Sequence, residues 1–151
     1  MGEIWIPPQQ ITVRALALVW RGPELLMIRV DADSGTVRGY RPIGGGVEFM
    51  ETSEQAIRRE IREELGTECE LGKFHGYVEN LYNFHGHNGH EIMALWDVKL
   101  ANKNLYELEQ VPYAEESLAH DFLVWRNPFK AELPVWPSTM LEILEMEAPL
   151  N

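Results

Sequence analysis

The stretch "GGGVEFMETSEQAIRREIREELGT", beginning at Gly44, constrains the fold more than any other part of the chain. Three consecutive glycines let a backbone turn pass close to other groups and adopt positive φ at little steric cost. A helix pattern follows directly. Thr52 or Ser53 stands in position for an N-cap, Thr52 with Gln55 has the spacing of a capping box, and Gly66 stands where a left-handed C-cap belongs. Ile57, Ile61 and Leu65 recur every four residues, which predicts a helix from Ser53 to Leu65 with one buried stripe.

That helix carries an electrostatic burden. At ~100° per residue, Glu64 falls about 40° to one side of Glu60 and Glu63 about 60° to the other. All three carboxylates share roughly a third of the circumference, and Ile57 borders that arc. Like charges at such spacings destabilise a helix by a few tenths of a kcal/mol per pair. Arg59 offsets part of this through Glu63, four residues on. A crowded, half-desolvated group of carboxylates raises pKa values or recruits a cation. Oxygen ligands select a hard one, Mg²⁺ or Mn²⁺. A carbonyl from the glycine turn can complete the coordination, and Gly45 and Gly46 let backbone approach a ligand.

The remaining chain reads as strands with a closing helix. "ITVRALALVW" and "ELLMIRV" read as a hairpin across "RGP", and "VRGYRPIGG" as an extended approach to the glycines. "KFHGYVENLYNF" and "HEIMALWDVKL" read as strands joined by an "HGHNG" loop. "HDFLVWR" reads as a late strand with Trp125 inward. "VWPSTMLEILEME" reads as a terminal helix that turns Met140, Leu141 and Leu144 inward. With 151 residues and no linker or repeat, residues 1–151 are expected to form a single domain.

Composition narrows the partners. The net charge of −11 disfavours duplex nucleic acid and anionic membrane, which need clustered Lys and Arg. No segment is apolar and long enough to span a bilayer, and "MGEIWIPPQQ" has no signal-peptide pattern. Cys69 is the one cysteine, so a reducing cytoplasm is the expected setting and a small buried hydrophobe its expected role.

Gly45, five residues, Glu51, seven residues, then "REIREELG" resembles the signature of the Nudix hydrolase family (MutT-like), G-x5-E-x7-R-E-U-x-E-E-x-G-U with U a bulky aliphatic. Gly45, Glu51, Arg59, Glu60, Glu63, Glu64 and Gly66 meet it, with Ile61 at the first U. Thr67 departs from it at the second, a change expected to affect packing below the helix. The leading strands and the late "FLVW…FKAEL…PSTMLEIL" also look like the family.

The resemblance implies an α/β/α sandwich with a mixed sheet between helices. It implies divalent-metal-dependent cleavage of the diphosphate linkage in a nucleoside diphosphate derivative: a nucleoside triphosphate, ADP-ribose, a dinucleoside polyphosphate or a nucleotide sugar. By position, Glu60, Glu63 and Glu64 with the Gly44 carbonyl resemble the metal ligands. Arg59 resembles the residue that orients Glu51 and Glu63, and Glu51, Arg59, Glu60 and Glu63 form the catalytic set. The general base is Glu60 or a later Glu, with Glu115, Glu116 and Glu91 as candidates.

Arg38, Arg41 and Arg14 are candidate phosphate contacts, and Tyr40, Tyr82 and Phe84 candidate base-stacking residues, although exposed Arg and core aromatics are the commoner roles. His85, His87 and His90 lack the spacing of a zinc site and read as a polar loop. A homodimer is a further candidate assembly. The alternative from another class is a Nudix-like module that senses a nucleotide without turnover. Such modules usually lose box carboxylates, and this chain keeps them.

Overall fold

The computed structural model describes residues 5–31, 36–114 and 122–147. Strands β1 (Ile11–Arg21), β2 (Glu24–Asp31) and β3 (Val37–Gly46) precede helix α1 (Ser53–Leu65). Strands β4 (Cys69–Phe84) and β5 (His87–Leu100), a 3₁₀ turn (Lys103–Glu107), β6 (Gln110–Pro112), β7 (Phe122–Arg126) and helix α2 (Ser138–Glu147) follow. The strands form one sheet in the order β4-β5-β1-β3-β2-β7-β6. Only β1 with β5 is parallel, so the sheet is mixed.

Strand β1 lies inside the sheet between β5 and β3, and both its faces are covered from Ala15 to Val19. Ala15, Ala17 and Val19 pack with Ala56, Ile57 and Ile61 of α1. Leu16 and Leu18 pack with Met140 and Leu144 of α2. A run that is apolar on both faces is what a strand between two helical layers requires, and the outcome is the expected α/β/α sandwich.

The local signals around α1 are realised. Thr52 accepts the Gln55 amide (3.2 Å) and the Gln55 side chain accepts the Thr52 amide (2.9 Å), completing the capping box. Gly66 adopts φ 66° and returns its N–H to the Arg62 carbonyl. Ile57 and Ile61 are fully buried, while Leu65 is only partly so. Trp125, Met140 and Leu144 are core residues and Cys69 is buried, as expected, with its thiol pushed up by that burial.

Two connections differ from the sequence reading. The β1–β2 hairpin is only two residue pairs deep, Trp20↔Leu25 and Arg21↔Glu24, because β3 enters between the strands and pairs Arg14–Ala17 with Ile43–Gly46. The "HGHNG" segment is mostly strand. The turn itself is His85–Gly86, both at positive φ (50° and 83°), and Asn88 and Gly89 already pair with β4. His87 and His90 lie an odd number of residues apart on β5 and fall on opposite faces.

Thr67, the departure from the box, is 8% exposed, and its hydroxyl accepts the Asn102 amide (3.0 Å) while donating to the Glu68 carbonyl (3.1 Å). The hydroxyl thus ties the end of α1 to the segment after β5, a task an aliphatic residue cannot perform. Thr67→Val is expected to cost about 1–2 kcal/mol, the value of a buried bond whose partner amide is left unmatched. Urea unfolding with an unchanged m-value checks this, and an unchanged midpoint would contradict it.

Candidate functional site

Backbone packing places the glycine turn against α1. A Cβ on Gly44 would stand 2.0 Å from the Ala15 carbonyl oxygen, so only glycine lets β3 close on β1 there. A Cβ on Gly45 would stand 2.2 Å from Glu60 Oε1 and 2.4 Å from its Cδ. The Glu60 carboxylate therefore rests directly on the Gly45 backbone.

Arg59 organises the acids around this contact. Its Nε and Nη2 donate to Glu51 Oε2 (2.8 Å) and Oε1 (2.9 Å), a bidentate pair. Nη1 donates to Glu60 Oε1 (2.8 Å) and, at longer range, to Glu63 Oε2 (3.4 Å). Nη2 also donates to the Gly46 carbonyl (2.9 Å). The Glu48 amide adds a bond to Glu51 Oε1 (3.1 Å). One guanidinium thus joins the glycine turn, the loop before α1 and the helix. The Arg59 hydrogen bonds, then the Glu48 amide, lower the Glu51 pKa from 4.5 to about 2. Hydrogen bonds to Glu51, then to Glu60, raise that of Arg59.

The three helix carboxylates are not equivalent. Glu60 and Glu51 side chains are each 14% exposed, whereas that of Glu63 is 59% exposed. Glu64 is buried one turn beyond Glu60, and its backbone carbonyl accepts the Ala114 amide (2.9 Å), which brings the segment after β6 to the end of α1. An open cleft of about 440 Å³ lies there, lined by Glu63, Glu64, Gly66, Pro112 and Tyr113 among others.

Among the described residues no three Asp, Glu, His or Cys side chains are gathered closely enough to hold a metal as they stand. Glu60 is turned onto Arg59. The donor chemistry nonetheless fits a hard divalent cation: oxygen donors from Glu60, Glu63 and Glu64 follow a glycine turn with no Cβ to obstruct approach.

The other sequence candidates are dispersed. Arg38, at the start of β3, is exposed, with its guanidinium 5.9 Å from the Trp136 ring. Tyr40 is core rather than a stacking platform, being 3% exposed with its hydroxyl bonded to Glu132. Phe84 packs edge-on against Trp5. Glu115 and Glu116 lie outside the described residues.

Glu91 forms an ion pair with Arg14 (3.2 Å), brought together by the parallel β1–β5 register. Tyr82 crosses Gly89 beside them. Its hydroxyl pKa is raised first by burial and then by Glu91, with Arg14 and Arg41 opposing, so Arg41 belongs to this neighbourhood. No local sequence signal joins these four residues, since each lies on a different strand. The Gly46 carbonyl and Glu48 amide also escaped the sequence reading, because backbone groups leave no compositional trace.

The NUDIX domain family matches residues 8–133, so the chain belongs to that family. Nucleoside triphosphatase NudI from Klebsiella pneumoniae subsp. pneumoniae is 51% identical over 41 residues, covering 27% of this chain and 29% of that protein. The match to the curated relatives therefore spans only about a third of their length. Among solved structures, the E. coli ORF135 protein is 26% identical, with 90% of this chain and 87% of that one aligned at a TM-score of 0.56. The MutT NUDIX hydrolase from Burkholderia pseudomallei aligns 93% of this chain and all of that one at 0.66 and 22% identity, which shows a shared fold.

Glu51 supplies a pH test. Its pKa is lower folded than unfolded, so its contribution to stability is complete above 4.5 and is lost as pH falls toward about 2. In metal-free protein, denaturant unfolding across that window is expected to show a shallower loss of stability for Glu51→Gln than for the native chain. Parallel curves would show that the Arg59 pair does not hold Glu51 ionised.

Proposed function

We propose that this chain is a divalent-metal-dependent pyrophosphohydrolase that cleaves the diphosphate linkage of a nucleoside diphosphate derivative, with nucleoside triphosphates the leading substrate class. The observation that carries the reading is the Arg59 guanidinium. It binds Glu51 bidentately and Glu60 singly while the Glu60 carboxylate lies on Gly45. A surface stripe of like charges has no need of this arrangement. The name of the NudI relatives favours triphosphates.

Glu60, Glu63 and Glu64, with the Gly44 carbonyl, would hold Mg²⁺ or Mn²⁺. Such an ion, when bound, neutralises phosphate charge and lowers the pKa of water at the site. Arg59 keeps Glu51 ionised and fixes the loop before α1. It also stands as a charged hydrogen-bond donor to Glu60. Gly45 and Gly46 admit the phosphates at the turn. Arg41 would contact the remainder of the substrate, and Arg38 and Glu116 are further candidates for contact. Glu91 pairs with Arg14 as Glu60 does with Arg59, so both stay candidates for the general base.

Glu64→Gln is expected to lower turnover at least about a hundredfold, with little loss of stability, because it keeps the side chain's shape and removes one charge from the crowded face. Product-resolved turnover kinetics with excess Mg²⁺ or Mn²⁺, over triphosphates, ADP-ribose, dinucleoside polyphosphates and nucleotide sugars, test both residue and substrate class. Native-like turnover by the variant would sink the ligand assignment. Nucleotide binding without turnover by the native chain would move it to the sensing class.

A further inference from the structure

Four polar aromatic residues pack in the cluster under α1: Trp96, Tyr106, Tyr113 and Trp125. Three of them have their polar atom matched. The Trp96 indole donates to Ser53 Oγ (3.0 Å) and the Trp125 indole to the Leu108 carbonyl (2.8 Å). The Tyr106 hydroxyl accepts the Leu100 amide (2.9 Å). Tyr113 is the exception. Its hydroxyl is buried and has no hydrogen-bond partner among the described residues. A buried tyrosine normally finds a partner, and phenylalanine would fill the same space with no unmatched donor.

The position of this hydroxyl narrows its purpose. Tyr113 is 7% exposed and packs with Val111, Ile57 and Ile61, which holds its ring against α1. The next residue, Ala114, donates its amide to the Glu64 carbonyl (2.9 Å). Tyr113 therefore stands in the wall of the cleft at the end of the helix. Among the residues lining that cleft, only Glu63, Glu64 and Tyr113 have polar side chains. The Glu63 side chain is 59% exposed, whereas Glu64 is buried like the hydroxyl.

We propose that Tyr113 is a positioning residue for Glu64: its hydroxyl donates to that carboxylate and fixes its orientation for a divalent cation. The inference rests on the reading of Glu64 as a metal ligand. A carboxylate has about four lone-pair sites on two oxygens, so one that serves a cation keeps acceptor capacity by which it can be held. Without such a bond its terminal torsion is broad and orients the oxygens weakly. A phenol suits this task better than Lys or Arg, because a neutral donor orients an oxygen without placing positive charge beside the cation. Arg59 serves the carboxylates of Glu51, Glu60 and Glu63. Tyr113 would serve the one at the end of the helix.

Mn²⁺ titration of the full chain, read from the EPR signal of the free ion, tests this with Tyr113→Phe and, for comparison, Tyr106→Phe. In metal-free buffer Tyr113→Phe is expected to melt no lower than the native chain, because an unmatched donor is removed. It is expected to bind Mn²⁺ about ten- to a hundredfold more weakly, as loss of a ligand's supporting hydrogen bond does. Tyr106→Phe breaks a bond that is made, so it should melt lower and keep native Mn²⁺ affinity. Native affinity in Tyr113→Phe would overturn the proposal while leaving the metal site standing. So would a Tyr113→Phe chain that melts lower, since its hydroxyl would then be matched in the native fold. An equal loss of affinity in Tyr106→Phe would overturn it too, by showing a general loosening of the core. A native chain that binds no Mn²⁺, or whose binding Glu64→Gln leaves unchanged, would overturn the metal-site reading and this inference with it.

Discussion

The contact between Glu60 and Gly45, clamped by Arg59, is the constraint on which the site depends. A helix with three crowded carboxylates cannot sit close to a backbone turn unless something compensates the charge and nothing occupies the turn. Arg59 meets the first need by binding Glu51 and Glu60 together, and the missing Cβ of Gly45 meets the second. The rest of the fold serves that approach. Strand β3 reaches the helix only because Gly44 closes against Ala15, and β1 holds that strand because both its faces are buried.

The helix ends are secured with similar economy. A capping box sets the register at which α1 begins, so Arg59 faces the loop rather than solvent. At the other end Gly66 turns the chain, and the Thr67 hydroxyl ties it to the segment after β5. The Ala114 amide then reaches the Glu64 carbonyl and brings β6 to the same end of the helix. Hydrogen bonds of modest individual strength thus hold both ends of an acidic helix that would be a poor helix in isolation.

The chain's acidity and its apolar face are two aspects of one surface. Charge spread over most of the molecule leaves few places where a large partner can approach without electrostatic cost. The exposed Tyr77 and Leu81 of β4 and Ile11 and Val13 of β1 stand out against that background, and the loop before α1 carries Glu51, which Arg59 grips.

Much of this was legible in the sequence because it rests on local spacing. The α1 boundaries, its cap, its Gly66 terminus and the shared face of Glu60, Glu63 and Glu64 follow from helical period and short-range hydrogen bonding, which nearby residues control. The family resemblance rests on the same short window. What lay outside it was decided by tertiary structure. Insertion of β3 between β1 and β2 reduced a predicted hairpin to two pairs, and extension of β4 and β5 absorbed a predicted loop. Arg14, Arg41, Tyr82 and Glu91 became neighbours only through strand order. Strand pairing is set by burial of whole faces against distant partners, and no local period encodes which strands will meet.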